Sequence, residues 1–268
     1  MFFAPNRDYY PRMEINLLVL NLGNSRLAMG CFIAGELSRV QHIAHTQRGD
    51  WAAALGDLWK NVESKDAAVV AASVNPTLES ALEDAVERAT GRRIVWVGRD
   101  LDLPIAVLTD EPELTGVDRI LNIAAAYEQM GNACVVIDAG TAITIDVCND
   151  GGEFLGGAIA PGAGLMLQSL HDKTAALPRV DLAVPDDAWG KNTAQAILHG
   201  VYHGIRGMVK EIVENYATAL GQWPDIIATG GDAAKLFGNW ELIHAISPDL
   251  TLYGIALAYT NHHIKHGT

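Results

Sequence analysis

The sequence predicts an α/β protein built from two similar halves, each with a mixed β-sheet flanked by helices. The main observation is a pair of glycine turns, at Gly23 and Gly140, each joining an apolar strand to a second strand. The polar residues near the ends of the first strands, Asn21 and Asp138, are 117 positions apart, which indicates a duplicated fold. Short apolar runs that alternate with helical patterns are typical of buried strands, and they lie at 67–72, 93–97 and 225–229.

The first half is predicted to follow the order β-β-β-α-β-α-β. Its hairpin spans about 15–33, and a third strand follows near 37–45. Apolar residues at helical spacing between Trp51 and Val62 predict the first helix. Pro76 fits the first position of a second helix that ends near Ala89.

The second half repeats this pattern after a helix at 117–130. Its predicted strands are 133–138, 142–148, 153–160 and 225–229, and its predicted helices are 162–171, 191–220, 231–237 and 248–262. The longest predicted loop is Leu177–Trp189. We expect an N-terminal extension at 1–13, a first half at 14–129 and a second half at 130–268, and either Met1 or Met13 could be the natural start.

Composition and charge exclude several classes of protein. A hydrophobic content of 49% with 19% charged residues is typical of a globular chain. The net charge of −13 argues against a nucleic-acid partner, which calls for a basic surface. No apolar run approaches the roughly 20 residues of a membrane span, and the N-terminal residues lack the order of a signal peptide. We therefore expect a cytoplasmic protein without a membrane partner.

The three cysteines, Cys31, Cys134 and Cys148, all lie in apolar, strand-like contexts. Their number is odd and their spacing shows no cluster, which is typical of buried, reduced thiols in a cytosolic protein. A metal-binding or catalytic role for them is disfavoured.

The glycine turns have the chemistry of a phosphate site. Glycine lets the backbone approach a phosphate closely, and backbone amides with the Ser25 or Thr141 hydroxyl can donate to its oxygens. An acid that ends a buried strand needs a partner, so Asp138 is the best candidate for a cation ligand, although a turn-capping role is the alternative. No P-loop motif is present.

Other motifs have two interpretations each. Asp118 lies in the first turn of a predicted helix, where spacing alone favours a helix cap, while a general base beside an anion-binding Arg119 is the functional alternative. The glycine groups at 156–157, 162–164 and 230–231 allow close approach of a ligand or a second backbone, or are simple turns.

Together these motifs closely resemble the type III pantothenate kinases, members of the superfamily of acetate and sugar kinases, actin and the heat-shock ATPases. The resemblance implies a duplicated ribonuclease H-like (actin-like ATPase) fold. It covers about Ile15 to Tyr259, and the order and spacing of its parts are specific. These parts are LGNSRLAMG at 22–30, SVNP at 73–76, GVDR at 116–119, DAGTAITID at 138–146, FLGGAIAPG at 154–162, ALP at 176–178, Asn192-Thr193 with Gly200, and TGG at 229–231.

The resemblance implies phosphorylation of pantothenate by ATP, the first step of coenzyme A synthesis, in a homodimer. Asp118 would then be the catalytic base, and Asp138 would hold a monovalent cation, K⁺ or NH₄⁺. The implied pantothenate site is Gly116, Val117, Asp118, Arg119 and Thr193. The implied ATP site, which also uses Mg²⁺, is Asn21, Leu22, Gly23, Asn24, Ser25, Arg26, Leu27, Ala28 and Thr141.

The sequence departs from the family pattern at two places. Asn21 stands where aspartate is usual, which removes a negative charge from the expected magnesium site, and the segment 106–115 lacks a tyrosine that often precedes GVDR. A non-catalytic or regulatory paralogue that binds nucleotide or a pantothenate-like ligand is therefore an alternative hypothesis. A kinase of the same superfamily acting on another small hydroxylated acid is a third.

Overall fold

The computed structural model describes residues 16–64 and 66–266, so the expected extension at 1–13 lies outside the described residues. The described chain falls into two compact units. One comprises 16–64, 66–129 and 250–266, and the other comprises 130–249. Over the part of the chain that is described, no helix combines the length and apolar character needed to cross a membrane.

The elements follow the predicted order closely. Those up to residue 130 are β1 (Leu17–Leu22), β2 (Arg26–Ile33), β3 (Glu36–Ala44), α1 (Trp51–Val62), β4 (Ala68–Ser73), α2 (Pro76–Thr90), β5 (Ile94–Trp96) and α3 (Val117–Met130). Those that follow are β6 (Cys134–Ala139), β7 (Ala142–Cys148), β8 (Phe154–Pro161), α4 (Ala163–Asp172), α5 (Thr193–Leu220), β9 (Asp225–Thr229), α6 (Ala233–Phe237), β10 (Ala245–Ile246) and α7 (Leu250–His266).

The first sheet has the strand order β3-β2-β1-β4-β5. Its first three strands are antiparallel neighbours, whereas β1, β4 and β5 run parallel. Side chains alternate between the two faces of the sheet. Leu18, Leu20 and Leu22 of β1 pack with α1 and α2 on one face. Leu17 and Val19 pack on the other face with α7.

The second sheet repeats this arrangement, with the strand order β8-β7-β6-β9-β10. Strands β6, β7 and β8 are antiparallel neighbours, and β6, β9 and β10 run parallel. Val135, Ile137 and Ala139 of β6 pack against α4, α5 and α6. Because the two sheets share both order and strand direction, the predicted duplicated fold with two mixed sheets is confirmed.

Candidate active site

The first glycine hairpin joins β1 to β2 and exposes a polar tip. The Gly23 amide donates to the carbonyl oxygen of Arg26 over 3.1 Å, which closes the turn. Asn24 and Ser25 are exposed at the tip. The predicted site residues Leu22 and Leu27 pair across the hairpin and are fully buried. Their side chains therefore fix the hairpin to the core, and only their backbone is available to a ligand.

His45 braces this hairpin, although sequence reasoning did not select it. Its Nε2 lies 2.8 Å from the carbonyl oxygen of Gly23, and its backbone amide donates to the carbonyl oxygen of Ser25 over 3.0 Å. Its ring packs edge-on against Trp51, with 5.8 Å between the ring centroids. The sequence gives no local signal of this role, because His45 meets the turn only through the pairing of β2 with β3.

Asn21 lies at the carboxyl end of β1, beside the turn. Its register partners are Ala28 of β2 and Ala72 of β4, whose methyl side chains offer it no hydrogen bond. Its Oδ1 atom is buried and accepts no hydrogen bond within the described residues. A buried carbonyl oxygen without a donor is suited to a cation, because hard cations prefer oxygen ligands.

Asp118 lies in the first turn of α3 and is half-buried. Its Oδ1 accepts a 2.9 Å hydrogen bond from the Arg119 amide. Burial raises the pKa of this carboxyl, while the Arg119 hydrogen bond and guanidinium charge act in the opposite direction. A carboxylate that water solvates poorly is a stronger base, so the geometry and charge suit proton transfer.

The second glycine hairpin joins β6 to β7 and is packed against a helix start. The Gly140 amide donates to the carbonyl oxygen of Ala142 over 3.0 Å, and Thr141 is exposed. The Gly162 amide donates to the carbonyl oxygen of Thr141 over 3.0 Å. A Cβ on Gly162 would collide with the carbonyl oxygens of Gly140 and Thr141. Of the two interpretations of the glycines at 162–164, close backbone approach is thus correct for Gly162.

Asp138 is the fifth of the six residues of β6 and lies between two threonines and against a glycine. Its register partners are Thr144 of β7 and Thr229 of β9. The Thr144 Oγ1 atom is buried and has no hydrogen-bond partner within the described residues. Gly230 follows Thr229 with a φ of 91°, and a Cβ there would meet Asp138 Oδ1. The second unit therefore places two threonines in register beside Asp138 and a glycine against its carboxylate.

Thr193 belongs to a separate local structure, the first turn of α5. The Asn192 side chain accepts a 3.0 Å hydrogen bond from the Gln195 amide, and Gln195 Oε1 accepts one from the Lys191 amide over 2.9 Å. This reciprocal capping fixes the helix start and leaves Thr193 exposed. The Gly190 position has no room for a Cβ, because the loop backbone lies against Ala196.

The first unit thus contains the 21–28 hairpin and the Gly116–Arg119 helix start, and the second contains Asp138, Thr141 and Thr193. Two sheets of the same order, each with a glycine hairpin at the same strand end, define the duplicated fold of the actin-like ATPases and related kinases. A family model described as type III pantothenate kinase matches residues 17–215. The chain belongs to the type III pantothenate kinase family.

Full-length relatives agree with this assignment. A type III pantothenate kinase from Anaeromyxobacter sp. (strain K) is 36% identical over 249 residues, covering 91% of this chain and 98% of the relative. Another, from Dehalococcoides mccartyi strain ATCC BAA-2266, is 32% identical over 253 residues, covering 92% of this chain and 98% of the relative.

Solved structures share the fold at lower identity. A Baf family protein from Campylobacter jejuni matches with a TM-score of 0.59 at 23% identity, over 93% of this chain and 98% of that one. Component A of the (R)-2-hydroxyglutaryl-CoA dehydratase from Acidaminococcus fermentans matches with a TM-score of 0.55 at 13% identity, over 95% and 100%.

Proposed function

We propose that this protein transfers a phosphoryl group from ATP to the primary hydroxyl of pantothenate. The observation that carries the proposal is the match along nearly the whole chain to the two type III pantothenate kinases compared above. They are 32% and 36% identical to this chain, and the match covers 98% of the length of each. Enzymes of this reaction type depend mainly on positioning and charge neutralisation. The two hairpins and the α3 start supply groups suited to both tasks.

Asp118 is proposed as the general base. Its raised pKa and its partial burial favour uptake of the proton from the attacking hydroxyl. Arg119, the next residue on α3, is proposed to bind the pantothenate carboxylate, since a guanidinium matches a carboxylate in charge and geometry. Gly116, Val117 and the exposed Thr193 would complete the pantothenate site.

The hairpin tips are proposed to bind the ATP phosphates. Asn24, Ser25 and Thr141 are exposed polar residues on glycine turns, where backbone amides can also donate to phosphate oxygens. Arg26 begins β2 beside this tip and is exposed as well. The buried Leu22, Leu27 and Ala28 hold the first turn in place, and the flanking Gly23 keeps its backbone accessible.

Two cations are part of the proposal. The orphaned Oδ1 of Asn21 fits an oxygen ligand for Mg²⁺, directly or through water, and the cation would neutralise phosphate charge. Asp138, with the orphaned Thr144 Oγ1 beside it, fits a monovalent cation such as K⁺ or NH₄⁺. The residues present are therefore compatible with both ions.

We further propose that the protein is a cytoplasmic homodimer whose first half ends at residue 129 and whose second half begins at residue 130, with α7 packing on the sheet of the first half. Ile159 of β8 is 65% exposed and Leu165 of α4 is 46% exposed, and such apolar side chains favour burial against a partner. Sedimentation of the purified protein at several concentrations tests the dimer. A monomer at all concentrations would contradict it.

A coupled assay of ADP release tests the proposed function. With pantothenate, ATP, Mg²⁺ and K⁺ present we expect turnover that requires pantothenate, and mass spectrometry should identify 4′-phosphopantothenate. Absence of turnover across a wide Mg²⁺ range, in protein shown to be folded by circular dichroism, would refute the proposal. Other hydroxylated acids in place of pantothenate test its selectivity.

A further inference from the structure

The cysteine side chains of β6 and β7 form a pair that the sequence spacing did not reveal. Cys134 begins β6, Cys148 ends β7, and the two are direct register partners across the antiparallel ladder. Their Sγ atoms are 3.3 Å apart. We expected all three cysteines to be unclustered. All three are buried, as predicted, but Cys134 and Cys148 lie side by side, whereas Cys31 donates to the carbonyl oxygen of Leu58.

We propose that Cys134 and Cys148 are a modification site, at which a peroxide converts the two thiols into a reversible intrachain disulfide. Residues directly opposite each other on antiparallel strands have Cα atoms about 4.5–5.5 Å apart. That interval lies inside the range of about 4.4–6.8 Å that disulfides occupy. The backbone register therefore already permits the bond, and only the two sulfur atoms need to approach.

The pair is asymmetric, which gives each sulfur a role. The S–H···S hydrogen bond between the thiols raises the pKa of Cys134 and lowers the pKa of Cys148. Cys148 is therefore the thiol that more readily loses its proton, and Cys134 retains one. Since the thiolate is the nucleophile in thiol chemistry, Cys148 reacts first.

The reaction balances with hydrogen peroxide as the oxidant. The Cys148 thiolate attacks one peroxide oxygen, the O–O bond breaks, and hydroxide leaves, which forms a sulfenic acid. The Cys134 sulfur then attacks the Cys148 sulfur, the S–S bond forms, and the sulfenic oxygen departs as water after taking up a proton. In total two thiols and one peroxide give one disulfide and two water molecules.

Burial selects the kind of oxidant. Both cysteines are 0% exposed, so a bulky disulfide reagent cannot reach them in the folded chain. Solvent is nonetheless close, because Asn132 and Asp150, each two residues away along the chain, are exposed. A molecule the size of hydrogen peroxide needs only a small local opening at this end of the hairpin.

Thiol counting on the unmodified protein tests the proposal. After exposure to hydrogen peroxide and removal of the excess, we expect the unfolded protein to fall from three free thiols to one, and dithiothreitol to restore all three. Peptide mapping should link Cys134 to Cys148. Oxidised glutathione at the same concentration should leave the count unchanged. Retention of three thiols, or a link that includes Cys31 or a second chain, would overturn the proposal.

Single variants test the order of the steps. In Cys134→Ser, and equally in Cys134→Ala, the sulfenic acid at Cys148 has no neighbouring thiol to resolve it. Dimedone added together with denaturant, so that it reaches the buried sulfur, should trap the sulfenic acid at Cys148. The matched control Cys31→Ser removes the other buried thiol and should still form the disulfide. Dimedone labelling of wild-type protein at Cys148 as strong as in the Cys134 variants would contradict the resolving role of Cys134.

Discussion

The Asp138 carboxylate occupies the space that a Cβ on Gly230 would need. A Cβ built at Gly230 would lie inside van der Waals contact of Asp138 Oδ1 and of the Ala139 carbonyl oxygen. Gly230 also has a φ of 91°, a backbone conformation that residues other than glycine rarely adopt. The turn after β9 therefore helps to position the proposed cation ligand at the end of β6.

Gly230→Ala should displace Asp138 and strain the backbone. We expect it to lower the free energy of unfolding by about 2–3 kcal/mol and to raise the K⁺ concentration needed for half-maximal turnover. Thermal unfolding and a K⁺ titration measure the two effects. Gly221→Ala is the matched control, because Gly221 has a φ of 72° but no atom near its Cβ position. If Gly230→Ala left the K⁺ concentration for half-maximal turnover unchanged, Asp138 would not be the cation ligand.

Asn21 and Asp138 occupy equivalent positions in the two sheets. Each is the fifth of six residues in the central strand, and each precedes a hairpin glycine by two positions. Each has one register partner on a neighbouring antiparallel strand and one on a neighbouring parallel strand. The duplicated fold therefore places a side-chain oxygen at the same strand position in both sheets. It belongs to the amide of Asn21 in the first sheet and to the carboxyl group of Asp138 in the second.

Asn21→Asp should lower the Mg²⁺ requirement. A carboxylate has nearly the shape of the amide and adds a charge next to the proposed metal, an effect of about 1–2 kcal/mol, or about five- to thirtyfold in apparent Mg²⁺ affinity. Turnover measured against free Mg²⁺ gives this value. Asn215→Asp, on the exposed surface of α5, adds the same charge elsewhere and should leave the response unchanged. An unaltered Mg²⁺ curve for Asn21→Asp would mean that another group holds the metal.

The element order could be predicted because each segment carries a local signal. Alternating and continuous apolar runs identified the strands, and Pro76 identified the first turn of α2. The duplication was visible in the matched turns at Gly23 and Gly140. The unit to which α7 belongs could not be predicted, because α7 packs with the first sheet through contacts distant in sequence.

The tertiary contacts of the site could not be predicted from the sequence. The contact of His45 with Gly23, and that of Gly230 with Asp138, each joins residues separated by many positions. Neither contact leaves a periodic pattern, because each depends on how strands pair. Cys134 and Cys148 are paired for the same reason, since their contact follows from the register of a hairpin rather than from a spacing motif.

His45→Ala should loosen the first hairpin. It removes the contact between Nε2 and the Gly23 carbonyl oxygen, which is worth about 1 kcal/mol. We expect an increase of about fivefold in the KM for ATP with a smaller effect on the KM for pantothenate. His42→Ala, an exposed histidine on the preceding strand, is the control. Equal changes in both KM values would indicate a general loss of structure instead.

Asp118→Asn should abolish phosphoryl transfer without preventing ATP binding. The amide cannot accept the hydroxyl proton, so we expect kcat to fall by a factor of about 10² to 10⁴. Isothermal titration with ATP should give an affinity close to that of the wild type. Asp110→Asn changes an exposed carboxylate on the segment before α3 and should retain activity. Near-normal turnover in Asp118→Asn would show that Asp118 is not the general base and acts only as a cap at the start of α3.

The pH dependence of kcat/KM should report the Asp118 carboxyl. Burial raises its pKa, so activity should fall on acidification at a pH above the ordinary aspartate value of about 3.9. Acidification should have the opposite effect on the free energy of unfolding, because it increases the contribution of Asp118 to stability. A carboxyl whose pKa is raised by folding contributes stability below its unfolded pKa, and that contribution is lost as the pH rises through the folded value. Loss of activity in acid therefore cannot arise from Asp118-linked unfolding, which circular dichroism at each pH would verify, and the residual rate of Asp118→Asn should lack the acidic limb.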